Sequence, residues 1–166
     1  MIIRSKHIHF NKEKFPFQQC LRRIFLLMLF VISGWANAQI SFDALRQKMD
    51  WEPRYIVMNI SSKTCIYCMM QQKKLEKDSE LQQRLAAEVY YLPWMVEEMN
   101  GITFNQHYFE TGKEFVEKLG KRKNEVLGYP LWIVFDEKSN VVYRSYGLMN
   151  NGQIGQLLDI LKNERR

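Results

Sequence analysis

Histidine and cysteine are scarce in this chain, and their scarcity excludes several chemistries. Of three histidines, only His107 lies beyond residue 38, and of three cysteines only Cys65 and Cys68 do. A zinc centre takes about four ligands, so one copy of residues 39–166 does not supply a full nitrogen and sulfur set, although a dimer sharing two cysteine pairs would. A scaffold held by several disulfides is excluded by number, and a bridge between Cys65 and Cys68 would close too small a loop to restrain much. There is no Gly-rich phosphate loop, no internal repeat and no low-complexity tract. The longest strongly apolar run, Ile24–Ile32, is about half of what crosses a bilayer.

An excess of charge is also missing once the chain is divided. Residues 1–38 hold six of the 24 Lys and Arg and one of the 18 Asp and Glu, which takes the net charge of the remainder from +6 to +1. Basicity belongs to the amino-terminal segment, and nothing in the rest points to nucleic acid. That segment reads as a signal peptide. Arg22-Arg23 precede the apolar run, and Ala36-Asn37-Ala38 gives the small-x-small pattern of a cleavage site, with cleavage expected after Ala38. Cys20 precedes the apolar run and so does not occupy the place of a lipid-bearing cysteine. Residues 39–166 are expected to form one domain.

What is present is Cys65-Ile66-Tyr67-Cys68, placed after the apolar run Tyr55–Ile60 and before a helix over Met69–Lys77. A thiol at a helix N-terminus meets unpaired backbone N–H groups and the positive end of the dipole, and both favour thiolate. Spacing and number favour a dithiol that cycles, with a fixed disulfide or a shared metal as alternatives. The helix carries Met69, Met70 and Leu75 as core filler, with Gln71, Gln72, Lys73, Lys74 and Lys77 on the wetter positions. Lys63 and Lys73 read as solvated.

Around this centre, Gln39–Arg54 predicts a helix capped by Ser41, with Asp43 against the dipole and Leu45 and Met49 on one face, and Pro53 ends it. Ser79 with Gln82 predicts a capping box for a short helix through Ala87. Val89–Val96 predicts a strand that Pro93 confines to a sheet edge or breaks. Asn100-Gly101 signals a turn, Gly112–Val126 a helix burying Phe115, Val116 and Leu119, and His107 a structural or surface residue. Leu131–Phe135 and Val141–Tyr146 predict a hairpin turning through Asp136–Asn140. Gly147 ends it, and an amphipathic helix after Asn150 carries Ile154, Leu157, Leu158, Ile160 and Leu161.

From Tyr55 to Lys162 the order of elements resembles the thioredoxin superfamily. Two signatures carry the resemblance: the strand-loop-Cys65-Ile66-Tyr67-Cys68-helix, and Gly128-Tyr129-Pro130 opening a strand that ends in Phe135-Asp136. The chain looks most like the periplasmic branch that includes the carboxy-terminal domain of thiol:disulfide interchange proteins. The resemblance implies an α/β three-layer fold, with a central mixed sheet flanked by helices. It implies a thiol–disulfide oxidoreductase of the periplasm, acting in redox homeostasis as a monomer without cofactor or bound metal. It implies that Cys65 is the nucleophile and Cys68 the resolving partner of a redox-active disulfide. Pro130 would be cis, and Thr64, Ile66, Tyr67, Tyr129 and Pro130 would contact substrate. Partners would be disulfide-bearing envelope proteins and a membrane-linked electron donor. The alternative on the same fold is a binding module whose cysteine pair is structural or holds a metal with a partner.

The chain departs from thioredoxin itself at named positions. Ile66-Tyr67 stands for Gly-Pro, Thr64 for a tryptophan, and Lys73 for a kinking proline. Asn59 stands where thioredoxin keeps a buried acid, and an amide does not accept the inner cysteine's proton, so water or another carboxylate must. The helix at the amino-terminal end has no strong strand before it. A member trimmed of its first strand would leave Val89–Val96 at an edge, where Pro93 is tolerated.

Overall fold

The computed structural model describes residues 42–165, all of them in the unit Ile40–Arg166. The expected signal peptide, and Ser41 as a cap, lie outside the described residues. α1 (Phe42–Trp51) leads into β1 (Ile56–Ser61), the cysteine-bearing α2 (Ile66–Glu76) and α3 (Ser79–Glu88). β2 (Tyr90–Met95), the hairpin β3 (Asn100–Phe104) and β4 (His107–Thr111), and a short α4 (Gly112–Phe115) follow. β5 (Leu131–Phe135), β6 (Val141–Tyr146) and α5 (Asn151–Glu164) close the chain.

The main sheet has the order β2-β1-β5-β6, with β1 parallel to β2 and antiparallel to β5, and β5 antiparallel to β6. Alternation along β1 sends successive side chains to opposite faces. Ile56, Met58 and Ile60 join Leu131, Ile133 and Phe135 under Leu45 of α1, Ile102, Phe104 and Phe109 of the hairpin, and Phe115 of α4. Val57 joins Trp132 and Val134 on the other face, under Leu75 of α2, Leu81 and Leu85 of α3, and Ile154, Leu157, Leu158 and Leu161 of α5. α2, α3 and α5 cover one face, and α1 and α4 with the hairpin cover the other: a three-layer α/β arrangement.

Among the described residues β2 is the edge strand that the sequence predicts. The Tyr90 N–H donates to Tyr55 O at 2.9 Å, so alternate residues of β2 turn their backbone groups toward β1 and the residues between them turn theirs outward. Pro93 is one of the latter. Its missing N–H falls on the open side of the sheet, where no ladder bond is lost.

Several local expectations are corrected. Asp78, not Ser79, caps α3, accepting the Leu81 N–H at 2.9 Å, because a carboxylate one residue earlier reaches the same orphan donors. Asn100-Gly101 opens β3 instead of forming a turn. The turn lies at Asn105-Gln106, both at positive φ (47° and 66°), a pair of backbone conformations usually marked by glycine. The helix expected over Gly112–Val126 stops early: α4 passes into a π-helical turn, Val116–Gly120, closed by the Lys121 N–H on Val116 O at 3.0 Å. Phe115 and Val116 are buried within it as expected, and Leu119 packs at its margin. In α5 the Asn150–Gln153 capping box is complete, and Ile160 faces out instead of in. No described helix is long and apolar enough to cross a membrane.

Gly112 opens α4 beneath the turn after β2. A Cβ there would stand 2.2 Å from Val96 O and 2.6 Å from Met99 Cβ, and the backbone atom has no rotamer by which to yield. Gly112→Ala is therefore expected to lower unfolding free energy by about 3 kcal/mol in urea titrations. Gly152→Ala, whose Cβ would meet only the end of the Asn150 side chain at 3.3 Å, is expected to stay near wild type.

Candidate active site

The site is assembled where β1 and β5 end together. Ile60 pairs with Leu131 and Ser61 with Met95, so Pro130, immediately before β5, lies level with the exit of β1. The Tyr129–Pro130 peptide is cis, Pro130 is buried, and its carbonyl accepts the Gly147 N–H at 2.8 Å. From Ser61 the chain turns once, with the Cys65 N–H on Ser62 O at 3.1 Å, and enters α2.

Cys65 is itself the cap of α2. It has extended backbone dihedrals, and its Sγ accepts the Cys68 N–H at 3.0 Å. Cys65 and Cys68 are joined by a disulfide, with Cα atoms 5.2 Å apart. Cys65 is partly exposed and Cys68 buried. The first turn of α2 carries no acidic residue, so a thiolate formed at Cys65 would meet a backbone donor and the helix dipole without a like charge in that turn. Thr64, Ile66 and Tyr67 are exposed around it, and Tyr129 is half-buried.

Two groups hold this end of the molecule that the sequence did not single out. Glu97, in the turn after β2, accepts Ser62 Oγ at 2.7 Å and the Lys63 N–H at 3.1 and 3.2 Å. Those bonds, Ser62's first, hold its carboxyl below the usual carboxylate range. The same carboxylate, with Glu117, adds to the burial that raises the Tyr129 phenol. Glu97 thus stands between the cysteine loop and the proline loop. Lys63 itself is exposed and pairs with Glu98 at 3.8 Å. Gln71, expected on a wet position, is buried one turn beyond Cys68. Its Oε1 accepts the Met149 N–H at 2.8 Å, which ties α2 to the start of α5. Only long-range pairing reveals either role, since both residues look like ordinary polar positions in sequence.

Beneath the pair, Asn59 is buried opposite Trp132 on β5 and hydrogen-bonds the Tyr91 side chain; burial pushes that phenol well up, and the Asn59 bond opposes the shift. The position of thioredoxin's acid is held here by a neutral amide–phenol pair. His107 is exposed on β4. No group of three or more His, Cys, Asp or Glu among the described residues could hold a metal ion. Met69 and Met70, expected in the core, are exposed instead.

A Cys-x-x-Cys disulfide capping a helix, beside a cis-proline that opens the neighbouring strand of a mixed sheet, defines a thioredoxin-type fold. Residues 43–162 match the thioredoxin-like domain family, and the chain belongs to it. Among solved structures, it is similar to a DsbH oxidoreductase at 14% identity, covering 74% of this chain and 82% of that one, with TM-score 0.53. A thioredoxin-fold protein from Helicobacter pylori matches at 15% identity over 68% and 71%, with TM-score 0.52. A thioredoxin from Thermus thermophilus matches at 18% over 72% and 82%, with TM-score 0.52. At these identities the likeness is one of fold. No curated protein matches the chain in sequence. The family's fold and the disulfide-bonded pair support thiol–disulfide oxidoreduction as the class of chemistry.

Two outcomes test the site's construction. Glu97→Ala is expected to speed hydrogen exchange at the Lys63 amide, while Glu97→Gln, which keeps an acceptor oxygen, retains most of the protection. In the wild type, that protection should be present above the ordinary carboxylate range and fall as pH drops through the lowered pKa of Glu97. Asn59→Asp buries a carboxyl whose pKa burial must raise. The folded state then keeps a proton that the unfolded state releases, so the variant's loss of stability relative to wild type is smallest below about pH 4. That loss grows as pH rises toward the folded-state pKa, with a slope of about 1.4 kcal/mol per pH unit. A flat difference from wild type across that range in urea titrations would contradict the buried position.

Proposed function

We propose that the protein is an exported thiol–disulfide oxidoreductase that reduces or isomerises disulfides of envelope proteins. The observation that carries this reading is the asymmetry of the pair: Cys65 partly exposed at the helix cap, Cys68 buried behind it. In the reduced protein the Cys65 thiolate attacks one sulfur of a substrate disulfide. That bond breaks, one substrate thiolate leaves, and a mixed disulfide forms. Cys68, as thiolate, attacks Cys65 Sγ, the mixed disulfide breaks, and the second substrate thiol is released. Two electrons pass to the substrate, the Cys65–Cys68 disulfide closes, and the protons of the two cysteines account for those of the products. Tyr129 and the cis-Pro130, with Thr64, Ile66 and Tyr67, line the approach to Cys65.

The compartment we propose is the periplasm, reached by a signal peptide of residues 1–38 cleaved after Ala38, with residues 39–166 as the working domain, a monomer. In an oxidising compartment the pair rests as a disulfide, so continued reduction requires an electron donor, which we place in the membrane. Reduced with dithiothreitol and freed of it, the domain is expected to reduce insulin disulfides. Cys65→Ser should abolish that activity, and Cys68→Ser should accumulate mixed disulfides with its substrates. Wild-type activity in Cys65→Ser would overturn the role given to Cys65, and full retention of a cellular phenotype by the double Cys65→Ser, Cys68→Ser variant would favour the binding module instead.

A further inference from the structure

The outer ridge of α2 is apolar where it borders the cysteine pair. Ile66, Tyr67, Met69 and Met70 are 66%, 61%, 53% and 43% exposed, while Gln71 beneath them is 1% exposed. A helix that buries a glutamine and presents two methionines to water inverts the usual pattern, and single exposed apolar residues do not explain four within five positions. Met95 is exposed at the same end of the sheet, since it pairs with Ser61 just before the cysteine loop. Methionine is unbranched and polarisable, and it suits surfaces that accept varied apolar shapes. Farther along the same exposed ridge, the apolar residues give way to Lys73, Lys74 and Lys77 with Glu76. No described acidic residue lies on α2 before Glu76.

Resting on the oxidoreductase reading, we infer that this ridge selects the substrate: a disulfide whose cysteine lies in an exposed apolar stretch of polypeptide, with acidic residues beyond it. The location of Cys65 at the head of the ridge requires the occupant to bring a disulfide there. The side chains next to that disulfide then meet Ile66, Met69 and Met70, and residues a turn's length farther meet the lysines. Folded proteins bury such stretches, so the substrate class is incompletely folded chains, and a small hydrophilic disulfide gains nothing from the ridge.

Two synthetic peptides with the same disulfide and the same outlying glutamates test it, one flanked next to the disulfide by leucine and phenylalanine, the other by serine. Cystamine serves as a disulfide with no flanks. Reduced wild-type protein is expected to react with the apolar peptide about tenfold faster in kcat/KM than with the serine peptide, equal to about 1.4 kcal/mol. Met69→Gln with Met70→Gln is expected to bring that ratio to within about twofold, the remaining polar surface giving no preference. Val142→Gln, an exposed apolar residue on β6, should keep the wild-type ratio. Reaction with cystamine but equal rates on the two peptides overturns the inference and leaves the oxidoreductase reading standing. A ratio that survives the methionine substitutions also overturns it. Wild-type binding to phosphatidylcholine–phosphatidylglycerol vesicles that the double substitution abolishes, with no peptide preference, assigns the ridge to a lipid surface instead. No reaction with cystamine overturns both.

Discussion

Five consecutive residues of β1, Ile56 to Ile60, are buried because the strand is paired on both edges and covered on both faces. A strand so enclosed has one register and one exit, and the exit is the loop that carries Cys65. The cysteine pair therefore inherits its position from the most rigid part of the core. The same registry that sets Ile60 against Leu131 brings the cis-proline level with it, although the two lie far apart in sequence. Removing apolar surface from the centre of this sheet would displace the site as well as weaken the fold.

Polar groups then complete what the sheet begins. Glu97 fastens the approach to Cys65, Gln71 fastens the far side of α2 to the start of α5, and the Arg84 guanidinium bridges Glu88 and Asp159, joining α3 to α5. That bridge holds the Glu88 carboxyl below its usual range, chiefly through the hydrogen bond from Arg84. On the opposite face, Phe104 meets Phe42 and Phe115 edge to face, Phe109 meets Phe115 the same way, and Phe42 stacks on Phe115. That face also has directional ties, the Tyr146 hydroxyl donating to Gly120 O at 2.8 Å and Arg144 Nε to Leu119 O at 2.6 Å.

Much of this was legible in the sequence. β5, β6 and their turn follow from an apolar run, a polar break and an alternating partner, and α5 from its period. β2 at the edge followed from Pro93 together with the absence of a strong strand ahead of α1. The hairpin β3–β4 was not legible, because Asn105 and Gln106 adopt positive φ without glycine, and the nearby Asn-Gly suggested the wrong turn. Three positions of α2, Met69, Met70 and Gln71, were misplaced for a similar reason, while Leu75 is buried and Gln72, Lys73, Lys74 and Lys77 are exposed as expected. Burial of Gln71 depends on a partner 78 residues away, and exposure of Met69 and Met70 depends on what does not pack there. Composition sees neither.

Pro93 has a meaning beyond its own strand. A protein that takes hold of extended, unfolded chains risks adopting them into its own sheet, since an open edge offers an unfolded segment the same ladder it offers a native strand. β2 ends at the level of the cysteine loop, so such a segment would arrive beside that edge. With the donor missing midway, a visiting strand finds its ladder interrupted after a residue or two. On the proposed function, what holds the visitor is then side-chain contact along the ridge of α2 and the exchangeable sulfur bond, and not the sheet edge.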